Sequence, residues 1–235
     1  MKQYCLFVFI FLMHSCDSKS QSNISKIENE TFIKNHRTNL NGKQIVEELD
    51  KLNFFNLTQE SEVDEEKRVL EESYNEHNFF EGDLRGETLN FVDNRFYFVD
   101  GEELFEIGGL VNYLKIVKPV FEKLGLELNY SNGKSIQTDK YWKHTIKLNG
   151  REYIAFESNF GKLDWGIAYV NFIKMLNSEL SAQKSEERFY PISCKNDGRI
   201  VLLTPKQFEF VKKHYPNDEE HPQEIEIWKK ENNIK

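Results

Sequence analysis

The dipeptide Asn149-Gly150 restricts the fold of this chain more than any other feature, because it fixes a β-hairpin together with its register. Asn-Gly is a preferred pair for a two-residue type I′ turn, since both turn positions require positive φ. The residues on both sides, within 141–157, alternate between apolar and polar side chains, as half-buried strands do. The register that follows has these cross-strand pairs: Leu148–Arg151, Lys147–Glu152 and Ile146–Tyr153.

Two further hairpins are predicted from alternation and turn residues. The first spans about 88–99 and turns at Asp93-Asn94, which sets Leu89 opposite Phe98 and Phe91 opposite Phe96. The third spans about 188–203 and turns within 195–198. Each hairpin is expected to be amphipathic and to need a helix or a second sheet to cover its apolar face.

Apolar residues at helical spacing predict amphipathic helices between the hairpins. The three clearest stripes are Ile45-Val46-Leu49-Leu52, Leu110-Leu114-Val117-Phe121-Leu124 and Trp165-Tyr169-Phe172-Leu176-Leu180. Pro119 is expected to kink or split the second of these helices, and Gly125 is a C-cap candidate. Asp164 is a predicted N-cap for the third, and Thr204-Pro205-Lys206-Gln207 is typical of a capping box. Shorter helices are predicted over 62–77 and 223–230.

The predicted order is helix, helix, hairpin, helix, hairpin, helix, hairpin, helix, helix. Tight hairpins build antiparallel sheet, and single helices alternating with single strands, the mark of a parallel sheet, are missing. The fold class is therefore α+β. A helix followed by a hairpin occurs from about 107 and again from about 164, which is compatible with a duplication, although the two units share no residue-level identity.

The N-terminal sixteen residues have the layout of a secretory signal. Lys2 supplies a positive charge, residues 5–13 form an apolar run, and the small residue Ser15 precedes Cys16. The apolar run is about half the length that a membrane-spanning helix needs.

The segment Met13-His14-Ser15-Cys16 resembles the lipobox of bacterial lipoproteins. Ser15 fits that pattern, whereas Met13 and His14 depart from the usual Leu-like and small residues. The resemblance implies cleavage after residue 15, with Cys16 becoming a lipidated, N-acylated terminus. Acyl chains such as palmitate would anchor the protein to a membrane in the bacterial cell envelope. No acidic cluster of the kind that directs surface export follows Cys16, so a periplasm-facing location is expected.

These features divide the chain into three parts. Residues 1–15 are the signal peptide, and 16–39 are the lipidated Cys followed by a polar, flexible tether. Residues 40–235 form a single α+β domain, with subdomains at 40–100 and 101–235 as the alternative division.

Charge argues against nucleic acid as a partner. The chain has 39 acidic and 31 basic side chains, a formal charge of -8, and removal of residues 1–15 takes away the one base Lys2 to leave -9. Binding to the phosphate backbone requires a basic surface, which this composition does not offer.

Motifs for common catalytic and cofactor sites are missing from the sequence. Cys5 lies in the signal peptide and Cys16 in the lipobox-like segment, so Cys194 is left without an intramolecular partner and is expected to be a buried, inert thiol. The loop from His214 to His221 resembles a metal cluster only superficially, because its residues lack the spacing of paired ligands. We expect neither a cofactor nor a metal site.

His144 and Glu157 are the candidate catalytic pair. The hairpin register places Glu157 opposite Trp142 and diagonal to His144, on the apolar face of the sheet. Such a pair has the chemistry of a general acid and base, although a lone His on an apolar face is more often structural.

The sequence therefore favours a lipid-anchored, non-catalytic module that binds a protein or peptide in the cell envelope. Two alternatives stay open: an immunity-type protein that neutralises a basic toxin, and an envelope hydrolase that uses His144 and Glu157.

Overall fold

A computed structural model describes residues 40–79, 83–85, 88–90, 94–106, 108–192 and 197–234. The helices within these ranges are α1 (Gly42–Lys51), α2 (Val63–Ser73), α3 (Gly101–Phe105), α4 (Gly109–Lys123), α5 (Asp164–Ala182), α6 (Pro205–His214) and α7 (Ile225–Glu231). The strands are β1 (Asp83–Arg85), β2 (Thr88–Asn90), β3 (Phe96–Asp100), β4 (Tyr130–Gln137), β5 (Trp142–Leu148), β6 (Arg151–Ser158), β7 (Arg188–Ile192) and β8 (Asp197–Leu203). All strand pairs are antiparallel, so the α+β prediction is confirmed.

The strands form two three-stranded sheets and one short two-stranded ribbon. The meander sheet has the order β4-β5-β6, and the central sheet has the order β3-β8-β7. The boundary near residue 100, considered above as a division between subdomains, falls at the end of β3 within the central sheet, where Asp100 is paired with Asp197. The described residues all belong to one compact unit.

The middle strand of the central sheet, β8, carries apolar residues that are buried on both of its faces. Alternate residues of β8 enter two different cores, with Ile200 and Leu202 on one side and Val201 and Leu203 on the other, and all four are fully buried. A strand covered on both sides has a continuous apolar sequence, so the prediction that the third hairpin has one apolar face was wrong. Strands β7 and β8 pair as the predicted third hairpin, beginning with Arg188 opposite Leu203.

The large core lies between the central sheet and the meander sheet, around α4 and α5. Helix α5 contacts both β6 and β7, and most of its circumference is buried, which fits a helix enclosed between two sheets. The small core lies on the other face of the central sheet and includes these residues of α1, α6 and the loops: Ile45, Val46, Leu49, Phe54, Phe55, Phe79, Phe208, Val211 and Tyr215.

Several helix signals behave as predicted. Thr204 and Gln207 form the capping box at the start of α6. Gly125 has φ +69°, and the amides of Gly125 and Leu126 bond to the carbonyls of Glu122 and Phe121, which completes a Schellman C-cap after α4.

Helix α4 runs through Pro119 without dividing, so the predicted split does not occur, because residues on both sides of the proline are buried in the large core and this packing outweighs the lost helical hydrogen bond. The kink at Pro119, the other expected outcome, stays a prediction. The prediction for Asp164 was wrong. Asp164 is the first residue of α5 and not its N-cap. Its carboxylate accepts hydrogen bonds from the Ser158 hydroxyl and the Gly161 amide, and so anchors the preceding loop.

The predicted hairpin at 88–99 was also wrong. Leu89 pairs with Leu84 in the ribbon, and Phe98 pairs with Arg199 of β8; Phe91 and Asp93 lie outside the described residues. An Asp-Asn turn without glycine is a weak hairpin signal, whereas pairing β3 with the fully buried β8 removes more apolar surface from water.

The two helix-and-hairpin units differ in strand number. Helix α4 precedes three strands of one meander, whereas α5 precedes β7 and β8, of which β8 also pairs with the earlier strand β3. The duplication stays a prediction.

Candidate functional site

The meander sheet is bent by two β-bulges on either side of its middle strand. The three residue steps of β4 from Asn132 to Ser135 lie opposite only two steps of β5, from Ile146 to His144. On β6, Ala155 is the extra residue between the pairs Thr145–Ile154 and His144–Phe156. Each bulge increases the local twist and adds a small residue to the sheet face that covers α4 and α5.

Thr145 holds the first bulge in place. Its Oγ1 accepts a hydrogen bond from the Lys134 amide at 2.9 Å and donates to Glu152 Oε1 at 3.2 Å. At the bulge itself, a Cβ on Gly133 would lie 1.8 Å from the Thr145 carbonyl oxygen. Glycine is therefore the residue that fits where β4 approaches β5 most closely.

A pocket of about 480 Å³ opens where the bent sheet faces the start of α4 and the first turns of α5. Its floor is apolar and buried, and consists of Leu104, Leu110, Trp142, Ile146, Ala155, Phe156 and Ala168. Its rim is exposed and mostly polar, and consists of Glu106, Gly108, Ser135 and Gln137. An apolar cavity of this size with a few polar groups is typical of a ligand-binding site.

Trp142 is fixed within the floor. Its indole Nε1 donates to Ser135 Oγ at 2.8 Å, and its ring lies 5.1 Å from that of Phe156, centroid to centroid. The indole face is thus oriented by neighbouring strands, which gives the pocket a preformed aromatic wall.

His144 is the polar group inside the pocket. Its ring lies 6.0 Å from that of Trp142, and its buried Nδ1 has no hydrogen-bond partner in the part of the chain that the structure describes. Burial lowers the pKa of the His144 imidazole below its ordinary value, which favours the neutral ring. A buried nitrogen without a partner is energetically unfavourable.

Glu157 does not join His144, so the predicted geometry of this pair was wrong. The bulge at Ala155 shifts the register by one residue, and Glu157 pairs with Lys143 and not with Trp142. A shift of one residue moves a side chain to the opposite face of a sheet.

On that opposite, outer face the Glu157 carboxylate accepts hydrogen bonds from the Tyr141 hydroxyl at 2.7 Å and from Lys143 Nζ at 3.0 Å. The Tyr141 hydrogen bond, followed by that of Lys143, holds the pKa of Glu157 below its ordinary value. The signal for the bulge was present in the sequence, because the apolar run from Tyr153 to Phe156 breaks the alternation of the strand.

His214 and His221, the ends of the loop considered above as a metal cluster, do not line the pocket. Cys16 and Cys194 lie outside the described residues. At the end of α6, His214 packs on Phe210 with centroids 4.3 Å apart, and in the loop that follows His221 Nε2 bonds to the Tyr215 carbonyl. Across the described ranges, no group of three or more His, Cys, Asp or Glu side chains is arranged to hold a metal ion.

Comparison with protein-family models, with curated proteins and with solved structures finds no match for this chain. None of the helices in the described residues has both the length and the hydropathy of a membrane span.

Proposed function

We propose that this protein is a lipid-anchored module of the bacterial cell envelope, held at the membrane through Cys16 and facing the periplasm. The proposal is supported by the charged start, the short apolar run and the lipobox-like Met13–Cys16. The polar segment 17–39 would act as the tether between the lipid and the folded domain.

We further propose that the domain is a non-catalytic binding module whose ligand site is the pocket at His144. The observation that carries this proposal is the combination of a buried apolar floor, a preformed aromatic wall at Trp142 and Phe156, and a polar rim. The ligand would be an apolar group of a protein or peptide, of the kind that anchors an interface when it fills a preformed cavity.

Binding is favoured over hydrolysis because the proposed acid and base lie on opposite faces of the meander sheet. His144 faces the pocket, whereas Glu157 is exposed on the outer face and bonded to Tyr141 and Lys143. A general acid and base must reach the same substrate, which this arrangement prevents.

The anchor is tested by labelling cells with radioactive palmitate and by fractionating their membranes. The native chain should carry label and sediment with membranes, whereas Cys16→Ala should lose both properties. Cys194→Ala is the matched control and should keep them. Label on Cys16→Ala, or unlabelled native protein that retains Met1, would contradict the proposed anchor.

The pocket is tested by filling it. Ala168 is buried in the floor, so Ala168→Leu should extend into the cavity and fill part of it, with a loss of unfolding free energy of about 1–3 kcal/mol, the range of small-to-large changes in a core. The exposed Ala182 at the end of α5 takes the same substitution as the control.

Indole is the probe, and the readout is the NMR cross-peak of the Trp142 indole N–H, assigned with Trp142→Phe, in the full-length chain in nonionic micelles. Saturable shifts should occur with the native chain and Ala182→Leu and be absent with Ala168→Leu. Shifts that survive in Ala168→Leu would show that indole binds elsewhere and would overturn the pocket as the ligand site.

A further inference from the structure

We infer that the apolar group entering the pocket is an aromatic side chain carried by a positively charged segment of a protein partner. This inference rests on the proposed function and adds the chemistry of the partner. The charge of the rim and the aromatic composition of the floor support it.

The rim carries negative charge. Among the described residues that line the pocket, Glu106 is the one that is charged at neutral pH. It is exposed, and no ion pair is formed by it in the described part of the chain. A cation on the ligand would pair with this carboxylate at the mouth of the pocket, whereas an anion would be repelled.

The chain beside the rim extends this negative region. Residues 97–114 contain Asp100, Glu102, Glu103 and Glu106 and neither Lys nor Arg. Glu102 and Glu103 are exposed on α3, one turn before Glu106, and the Glu103 carboxylate accepts a hydrogen bond from the Tyr113 hydroxyl at 2.7 Å.

Positive charge at the same end of the sheet is smaller. The turn between β4 and β5 contributes Asp139 and Lys140, which offset each other, and the loop after β6 contributes Lys162. The acids of α3 and the rim therefore exceed the bases of the two loops. The formal charge of -8 on the whole chain adds long-range attraction for a basic partner.

The floor selects an aromatic group. Trp142 and Phe156 offer ring faces and edges, against which another aromatic ring packs favourably. Tryptophan is the side chain with the largest aromatic surface to pack against such a floor.

Three capped pentapeptides test the inference: Lys-Lys-Trp-Lys-Lys, Lys-Lys-Ala-Lys-Lys and Glu-Glu-Trp-Glu-Glu. The full-length chain in nonionic micelles is titrated with each to about 1 mM, following the Trp142 indole cross-peak. The lysine peptide with Trp should bind more than tenfold more tightly than the glutamate peptide, and high salt should remove most of this difference. The alanine peptide should not bind.

The rim is tested with Glu106→Gln, which should weaken the lysine peptide with Trp about two- to fivefold, the range of an exposed charge pair. The exposed Glu209 on α6 gives the matched control, and Glu209→Gln should leave the affinity unchanged.

The outcomes separate this inference from the proposed function. Equal affinity for both Trp peptides, with binding lost in Ala168→Leu, would overturn the charge selection and leave the pocket as the ligand site. Binding of the lysine peptide that persists in Ala168→Leu would overturn both. No binding of the lysine peptide, in a chain that still binds indole, would overturn the inference alone.

Discussion

Glu179 is a fully buried carboxylate whose oxygens are completely used. Arg151 donates to both of its oxygens, Tyr153 donates through its hydroxyl at 2.6 Å, and Asn149 Nδ2 donates at 2.7 Å. Helix α5 is thereby fastened to the turn and the first residues of β6. Burial, followed by the hydrogen bond to Glu179, raises the pKa of Tyr153 to about 12.

Among substitutions of polar residues, removal of the Glu179 carboxylate should cause one of the largest losses in the free energy of unfolding. We expect Glu179→Ala to lower the free energy of unfolding by about 2–4 kcal/mol, since three buried or half-buried donors lose their acceptor. The loss of unfolding free energy should be smaller than for a wholly buried ion pair, because the Arg151 side chain is 47% exposed and its guanidinium can be hydrated in the variant. Urea titration measures it. Glu48→Ala, which breaks the exposed Lys51–Glu48 pair, should change stability by less than about 1 kcal/mol, and equal losses in the two variants would contradict this account.

The burial of Arg95 could not be predicted from the sequence. Its side chain is fully buried, stacks on Phe54, and donates to the carbonyls of Phe54 and Leu202 and to the Asn56 amide oxygen. The residues next to Arg95 in the sequence do not indicate that its side chain is buried, because its hydrogen-bond partners lie at distant positions of the chain.

At the scale of secondary-structure elements, the bulges in the meander sheet determine which side chains face the pocket. The turn at Asn149-Gly150 has φ values of +47° and +82°, and the pairs nearest to it match the predicted register. Beyond Thr145 the bulge at Ala155 shifts every pair by one residue. Trp142 and His144 keep the pocket face, while Glu157 moves to the outer face.

Gly133 tests the first bulge. Gly133→Ala places a Cβ against the Thr145 carbonyl, and the strand must move apart, so we expect a loss of about 1–3 kcal/mol in unfolding free energy and weaker indole binding. Gly161→Ala is the control, because its Cβ would meet only the Asp164 carboxylate at an ordinary 3.7 Å. A Gly133→Ala chain as stable as Gly161→Ala would mean that the close approach is not required.

At the scale of the whole molecule, β8 joins the two cores. Leu202 belongs to the large core and Leu203 to the small core, although they are adjacent in sequence. A substitution that destabilises one core should therefore also destabilise the other, because both cores contain residues of β8. We predict a single cooperative unfolding transition.

Leu203→Ala tests this coupling. It should lower the unfolding free energy by about 2–5 kcal/mol, as buried Leu-to-Ala changes do. All three tryptophans, Trp142, Trp165 and Trp228, belong to or pack against the large core, so their fluorescence reports on the core that Leu203 does not enter. The fluorescence and circular dichroism midpoints should shift together in urea. An unchanged fluorescence midpoint would show that the small core unfolds independently.

The sequence by itself determined features that depend on neighbouring residues. These include the Asn149-Gly150 hairpin and its first pairs, the Thr204 capping box, the Gly125 C-cap, the apolar helix stripes and the α+β class. The tertiary structure decided features that depend on contacts between distant segments. Strand β3 joins β8, α4 continues through Pro119, and Glu157 leaves the face of His144, because burial against another element outweighs the local preference in each case. The pocket belongs to this second group, since its lining comes from α3, α4, α5 and the meander sheet, which only the packed molecule brings together.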